Sequence, residues 1–361
     1  MQPLPSAFDS VSFPHGPAMP NRFMLAPLTN QQSHDDGTLS DDEIHWLSMR
    51  AQGGFGITMT AAAHVQSVGQ GFAGQLGIFS DVHLPGLTRM AEALNATTTV
   101  SYAQLHHAGN RAPTDVTGAQ PVCPSDDPDT GARALTLPEV HDVRHAFVAA
   151  AMRAERAGFH GVELHGAHGY LLCQFLSSDI NRRTDEYGGS LENRSRLIFE
   201  IVDGIRTACG PDFALAVRLS PERFGMRTSE IVQVYERLVA TGQVDLIDMS
   251  LWDVNRMTDE PGFDDRTLME IFASIPRGDV RLGVAGKIHT PADVQRVVEH
   301  GVDIAVLGRV AILHHDYPQR MHDDAGFEPR RAPVSREVLL SEGVSPTFVE
   351  YLAGTFRFVA A

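Results

Sequence analysis

The stretch GVELHGAHGY, Gly161–Tyr170, places a short apolar run directly before two histidines and a tyrosine. The run predicts a buried strand, and the polar residues follow at its carboxyl end. His165 and His168 offer two ring N–H donors for one substrate oxygen, and Tyr170 offers a separate O–H that can deliver a proton. Ligands of a parallel α/β barrel bind at the carboxyl ends of its strands, so this stretch predicts both a fold and a site.

Short β-rich runs recur along the chain, and helical patterns separate them. The predicted strands are Arg22–Ala26, Gly56–Thr60, Thr97–Gln104, Gly161–Leu164, Ala214–Leu219, Asp245–Met249, Val280–Val284 and Asp303–Leu307. The segments between them carry apolar residues at helical spacing and begin at cap residues such as Ser40 and Thr290. This α/β alternation predicts a parallel sheet with crossover helices, and eight strands close a TIM (β/α)8 barrel.

A doubly wound open sheet is the competing architecture. It would normally carry a glycine-rich dinucleotide fingerprint after the first strand, where this chain has Ala26-Pro27-Leu28-Thr29-Asn30. The barrel is therefore preferred, as a single domain over residues 1–316 with an excursion over its mouth at about residues 111–136. Residues 317–361 are expected to form a tail that packs on the barrel or on a neighbouring subunit.

Composition limits the possible partners. The 361 residues are 43% hydrophobic, enough for a large core, and the formal charge of −16 argues against nucleic acid or anionic membrane as a partner. Three cysteines are too few for a disulfide framework or a four-thiolate metal site. No apolar run approaches the roughly 20 residues that cross a bilayer, and Met1–Pro5 does not resemble a signal peptide. We expect a cytoplasmic protein.

A second informative segment is Asn181–Arg194, which reads NRRTDEYGGSLENR. It carries no obvious catalytic group, and we predict an ion-paired, capped platform that starts a helix at Ser190. Together with the histidines and tyrosine, this segment resembles the old yellow enzyme family of FMN-dependent ene-reductases. The resemblance extends from about Phe8 to Asp316 and is strongest between Val162 and Arg194.

The resemblance implies an FMN site at the ends of the strands. By analogy, the flavin ring is contacted by residues at the ends of the first, second, third and fifth strands. The first strand supplies backbone and side chains, the second a small residue, the third an amide and the fifth a guanidinium. These residues are Ala26, Pro27, Leu28, Thr29, Ala62, Gln104 and Arg218. Without the resemblance, Thr29 would be an ordinary strand-end turn residue, and Arg218 would form an ion pair with a helix carboxylate.

The loops after the seventh and eighth strands predict the phosphate end of the same site. They contain Gly286, Lys287, Gly308 and Arg309. Glycines let backbone N–H groups approach phosphate oxygens, and these loops are the usual phosphate site of this fold. Arg309 can bind a phosphate bidentately, and Lys287 is the single lysine of the chain.

The paired histidines leave three interpretations: a metal site, histidines satisfied within a core, or a carbonyl-binding site above a flavin. No further Cys, Asp or His recurs at a helpful spacing, so no metal is predicted. By resemblance, NADPH or NADH reduces FMN, and FMN then reduces the C=C bond of an enone or enoate in a ping-pong cycle. His165 and His168 bind the carbonyl oxygen, and Tyr170 protonates the α-carbon.

Substrate contacts are expected from Gln31, Arg111 and Trp252, and His106 receives no role. Two other functions stay open: a non-catalytic flavin- or ligand-binding barrel, and a relative of the dienoyl or amine oxidoreductases. The second is disfavoured because the chain lacks their cysteine cluster and extra length. The physiological substrate, the choice between NADH and NADPH, and a possible homodimer or larger homo-oligomer are not decided by the sequence.

Overall fold

The computed structural model describes residues 5–263 and 265–360. Within them, parallel strands close into a barrel in the order β1-β2-β3-β6-β7-β8-β9-β10. The barrel strands are β1 Phe23–Leu25, β2 Ile57–His64, β3 Val100–His106, β6 Gly161–Gly166, β7 Ala214–Leu219, β8 Leu246–Ser250, β9 Arg281–Ala285 and β10 Ile304–Leu307; β4 Val122–Cys123 and β5 Arg133–Ala134 form a separate small sheet. The predicted TIM barrel is confirmed, and every predicted strand overlaps an observed one. The prediction about a signal peptide concerns residues 1–5, of which 1–4 lie outside the described residues.

Helices cover the outside of the barrel. They are α1 Asp41–Gln52, α2 Leu84–Asn95, α3 Thr114–Thr117, α4 Leu137–Ala157, α5 Leu171–Leu176, α6 Leu191–Ala208, α7 Thr228–Thr241, α8 Leu268–Ala273, α9 Pro291–Glu299, α10 Arg309–Leu313, α11 Tyr317–Asp323, α12 Arg336–Ser341 and α13 Pro346–Thr355. Their starts follow capping chemistry. The Ser40 hydroxyl accepts from the N–H of Glu43, and Thr290 forms a full capping box with Asp293.

The inside of the barrel changes character from one layer to the next. Its lower layers are apolar and include Met24, Tyr102 and Leu246. Side chains two positions apart on a strand share a face, so the residues that follow these at the carboxyl end also point inward. On β3 and β8 those residues are Gln104 and Asp248, and the barrel therefore ends in a polar layer beneath its mouth.

The segment after the last barrel strand packs near α1. The ring of Phe348 in α13 meets the Trp46 indole edge-on, with centroids 5.0 Å apart, and both side chains are buried. The domain boundary near residue 316 and any contact with a neighbouring subunit remain predictions. Among the described residues, no helix combines the length and the apolar character that crossing a membrane requires.

Candidate active site

A cavity of about 650 Å³ opens at the carboxyl ends of the strands. The sequence-predicted residues that line it are Pro27, Leu28, Thr29, Ala62, Gln104, Arg111, His165, His168, Tyr170, Arg218, Trp252 and Arg309. A wider adjoining opening shares several of these residues and adds Ala26, Gly286, Lys287 and Gly308. Residues from separate loops are thus brought to one place, which is large enough for a small organic ligand or a cofactor ring.

Gln31 is the exception, because it lines neither opening. Its backbone adopts a left-handed φ of 56°. Its carbonyl oxygen lies so near Gly74 that a Cβ at that glycine would come within 2.6 Å of it. The structure therefore offers no support for the expected substrate contact of Gln31.

The two histidines converge on one point. Nε2 of His165 lies 3.3 Å from Nδ1 of His168, and the backbone N–H of Ala167 donates to Nδ1 of His165 at 3.3 Å. Since Nδ1 of His165 is an acceptor, its ring proton sits on Nε2 and faces His168. Burial lowers the pKa of both imidazoles well below the usual range, with neighbouring positive groups adding to the effect. The pair is neutral at physiological pH.

Tyr170 is held between two side chains. The guanidinium carbon of Arg111 lies 4.5 Å from the ring centroid, and the His106 imidazole meets the ring at 77° with centroids 4.4 Å apart. Arg111 also donates to the carbonyl of His168 at 2.6 Å. Cation–π and edge-on contacts each favour one ring orientation. They fix the phenol beside the imidazole pair.

His106, which the sequence left without a role, forms a third imidazole in the cavity wall. The N–H of Gly71 donates to Oε1 of Gln75 at 2.6 Å. The amide nitrogen of Gln75 therefore faces Nδ1 of His106 at 3.1 Å. This contact places the His106 proton on Nε2, an atom with no hydrogen-bond partner in the part of the chain that is described. Strand periodicity could have identified His106, because it shares a face with Gln104 two positions earlier.

Arg218 has a strand partner rather than a helix carboxylate. Its Nε lies 2.9 Å from Oδ2 of Asp248 and donates to the Ser250 hydroxyl at 2.7 Å. Both partners belong to the adjacent strand β8. On β6 and β3, the two strands that follow β7 away from β8 in the barrel order, the Gln104 amide donates to Glu163 at 2.7 Å. Polar groups that line the base of the cavity are therefore anchored from below.

The loops after β9 and β10 contain one paired cation and one available cation. Lys287 lies 3.0 Å from Asp253. Arg309, directly after Gly308, is exposed at the cavity mouth, and within the described ranges no carboxylate oxygen lies within 4.0 Å of it. At Gly286 a Cβ would stand 2.9 Å from two backbone nitrogens, so only glycine fits there. A free guanidinium beside close-packed backbone suits a phosphate group.

The carboxyl-terminal segment supplies wall residues that sequence reasoning missed. Phe348, Tyr351, Leu352, Phe356 and Phe358 all line the cavity. Burial raises the pKa of Tyr351, while the nearby Thr29 hydroxyl acts in the opposite direction. The spacing of the first three residues marks one helix face. That signal was present in the sequence, although it does not say which surface the face covers.

The loop Asn181–Arg194 has the predicted platform structure. Arg183 pairs with Asp185 at 2.6 Å, the Asn181 amide donates to the carbonyls of Phe175 and Tyr187 at 2.7 and 2.8 Å, and Ser190 caps α6. These contacts tie the loop to the helix that follows the histidines. The prediction of an ion-paired, capped segment is confirmed.

Among residues 5–263 and 265–360, no third His, Cys, Asp or Glu ligand atom lies close enough to the paired histidines to complete a metal site. In the described part of the chain, the cluster with ligand atoms close enough for a metal ion is His315, Asp316 and Glu342. It shares no residue with the cavity lining, and Arg330 already pairs with Glu342.

The barrel and the side chains at its mouth define a TIM-barrel protein with a ligand-binding cavity formed by the carboxyl ends of its strands. Residues 16–326 match the model of the NADH:flavin oxidoreductase / NADH oxidase family. The chain belongs to that family, whose cofactor is FMN and which includes the old yellow enzyme homologues. The resemblance identified from the sequence is confirmed.

Individual relatives agree with this assignment. The chain is 35% identical over 326 residues to a probable NADH-dependent flavin oxidoreductase of Bacillus subtilis, covering 88% of this chain and 87% of that protein. The old yellow enzyme homologue of Zymomonas mobilis superimposes with a TM-score of 0.80 at 27% identity, over 93% of this chain and 96% of the other. Morphinone reductase in complex with tetrahydroNAD gives 0.79 at 27% identity, over 93% and 94%. Other relatives are longer, and the chain spans only 50%, 37% and 33% of their length.

Proposed function

We propose that the enzyme reduces the C=C bond of α,β-unsaturated carbonyl compounds with NAD(P)H in a ping-pong cycle through FMN. One observation carries this proposal. Two neutral imidazoles whose nitrogens lie 3.3 Å apart stand beside a clamped tyrosine, in a cavity that the predicted flavin contacts also line. The imidazoles could stabilise negative charge that develops on the carbonyl oxygen, and the tyrosine could give a proton to the α-carbon.

The residues present fit FMN. Arg309 offers a guanidinium without a carboxylate partner among the described residues, Gly286 provides close backbone, and Ala62 leaves space for a planar ring. Gln104 and Arg218 would face the polar edge of the ring. Bound there, FMN would accept a hydride from NAD(P)H and deliver one to the β-carbon of the alkene.

The histidines would bind the substrate carbonyl oxygen. Nε2–H of His165 points at Nδ1 of His168, so only one of the two nitrogens carries a proton at the meeting point. To donate from both rings, His168 must move its own proton from Nε2 to Nδ1. Donors placed where negative charge develops contribute roughly 3 to 4 kcal/mol each in a water-poor site.

Tyr170 would supply the proton to the α-carbon. Its ring cannot turn freely, because Arg111 and His106 contact it. Arg111 and Trp252 remain our candidates for further substrate contacts. Trp252 is 44% exposed at the mouth and stacks under Arg223, whose guanidinium carbon is 4.4 Å from the ring.

Replacing Arg309 with alanine should yield mostly colourless protein. A charge-assisted bidentate contact contributes roughly 1.5 to 3 kcal/mol, so the Kd for FMN should rise about 10- to 100-fold. Flavin content per chain and titration of the apoprotein measure this. Lys287→Ala is the matched control: Asp253 already pairs with Lys287, so we expect a smaller loss. Full yellow occupancy of Arg309→Ala would remove this residue from the phosphate site.

Turnover of a simple cyclic enone tests the proposed reaction. Under anaerobic conditions we expect steady NADH or NADPH consumption with 2-cyclohexenone and none with cyclohexanone, because only the enone has a C=C bond conjugated to the carbonyl and can reoxidise the flavin. FMN-loaded protein that oxidises neither nicotinamide in the presence of the enone would favour the non-catalytic flavin-binding barrel. Activity confined to dienoyl thioesters or amines would favour the other alternative.

A further inference from the structure

The polar layer under the cavity holds more negative than positive groups. It consists of Gln104, Glu163, Arg218 and Asp248, one side chain from each of four barrel strands. All four are at most 5% exposed, and the two carboxyl groups are 0% exposed. Two acids thus share one guanidinium in a place that water does not reach.

Charge balance requires a proton in this layer. A buried carboxylate without a compensating charge is prohibitively costly, so a single Arg218 can neutralise one acid and the other must be neutral. Asp248 is the ionised one, because its Oδ2 lies 2.9 Å from Nε of Arg218. Glu163 has the uncharged Gln104 amide as its partner at 2.7 Å.

The pKa shifts of the two acids agree with a neutral Glu163. Burial, then the charge of Asp248, raises the pKa of Glu163 to about 8. Burial also raises the pKa of Asp248, and the charge of Arg218 acts in the lowering direction on the pKa of both acids. The other titratable groups facing this layer, Tyr102 and His165, stay neutral, because burial raises the pKa of the phenol and lowers that of the imidazole.

The contacts of the two acids differ in one respect. Oε1 of Glu163 accepts from the Gln104 amide, and its Oε2 has no hydrogen-bond partner among the described residues, which leaves that oxygen free to carry a proton. Both Asp248 oxygens also lack a hydrogen-bond partner among those residues, but Oδ2 of Asp248 has the guanidinium of Arg218 at 2.9 Å. The amide nitrogen of Gln104 is therefore engaged by Glu163 beneath the cavity, and the amide oxygen of Gln104 remains to accept a hydrogen bond from a group in the cavity. The backbone N–H of Gln104 is also fixed, by the Thr60 hydroxyl at 3.1 Å.

We propose that Glu163 is a positioning residue that works in its neutral form, holding the Gln104 amide for FMN and leaving Arg218 to a single carboxylate. This inference rests on the proposed contacts of FMN with Gln104 and Arg218. Loss of the Glu163 proton adds a second buried negative charge beneath the cofactor and divides the attraction of Arg218 between two acids. FMN affinity is therefore fully present at neutral pH and declines as the pH rises through about 8.

The first test follows FMN affinity against pH in Glu163→Gln, which keeps the shape and removes the titration. The Kd for FMN of the unaltered enzyme should rise by up to about tenfold per pH unit above pH 8, whereas that of Glu163→Gln should stay flat. Glu236→Gln, an exposed change on α7, is the matched control and should follow the unaltered enzyme. Parallel profiles for Glu163→Gln and the unaltered enzyme, or a flat profile for both, would overturn the coupling to FMN.

The second test measures the protonation of Glu163 directly. Infrared spectra of the holoenzyme at neutral pH should contain a protonated-carboxyl C=O band that shifts with carboxyl-¹³C glutamate, but not with ¹³C aspartate, and that fades as the pH rises through about 8. The band should be absent from Glu163→Gln, which distinguishes it from a band of Glu43, another fully buried glutamate whose pKa is raised by burial. A band that follows the aspartate label, a band that persists in Glu163→Gln, or no such band overturns the assignment to Glu163. If the band is present but the Kd for FMN does not change with pH, the proposed contacts of FMN with Gln104 and Arg218 are wrong.

Discussion

Replacing Tyr170 with phenylalanine is expected to leave reduction of bound FMN by NAD(P)H nearly intact and to slow alkene reduction about 100-fold or more. The hydroxyl is needed only when the α-carbon takes its proton. The ring should stay in place in the variant, because its contacts with Arg111 and His106 involve the ring rather than the hydroxyl. The two half-reactions are measured separately by rapid mixing of the oxidised and the prereduced enzyme.

Tyr235→Phe is the matched control for this prediction. The Tyr235 side chain is buried, its hydroxyl has no partner among the described residues, and it lies outside the cavity lining. We expect both half-reactions of this variant to be unchanged. Equal losses in the two half-reactions of Tyr170→Phe would count against the proton-donor role.

Replacing both His165 and His168 with alanine should slow alkene reduction more than Tyr170→Phe does. Removal of one donor to a developing oxyanion slows a reaction about 100- to 1000-fold, and the double variant removes both imidazoles, whose nitrogens lie 3.3 Å apart. We expect alkene reduction to fall at least about 1000-fold. Phenols should also bind more weakly, seen as loss of the long-wavelength charge-transfer band that they form with oxidised flavin.

A double change of exposed histidines, His145→Ala with His300→Ala, controls for the loss of two imidazoles. It should keep both the band and the rate. The single variants carry further information, since Nε2–H of His165 points at the His168 ring. An unchanged phenol band in the double variant would show that the oxygen binds elsewhere.

The barrel could be predicted because its evidence is local. Each strand is a short apolar run that ends in a turn, and helix starts such as Thr290 carry their capping partner three residues away. Strand order then follows from the connection rules of parallel sheets. The site at the carboxyl ends followed from the fold, which explains why residues as distant as Thr29 and Arg309 could be placed together.

What the sequence could not supply are contacts between elements that are distant along the chain. The pairing of Lys287 with Asp253, and of Arg218 with Asp248, depends on how neighbouring strand ends meet. The aromatic face of α13 is visible in the sequence, yet nothing local shows that it covers the cavity. The substrate contact expected of Gln31 stays a prediction. Gln31 lies six positions after the end of the first strand, its backbone is left-handed, and it is outside the lining of both openings.

The central claim is that the mouth of this barrel holds FMN beneath a carbonyl-binding histidine pair. The most direct measurement is the visible spectrum of the purified protein under anaerobic conditions, before and after NADH or NADPH and then after an enone. The account predicts a yellow protein that one or both nicotinamides bleach and that the enone turns yellow again. Protein that takes up no FMN, or bleached protein that an enone leaves colourless, would contradict it.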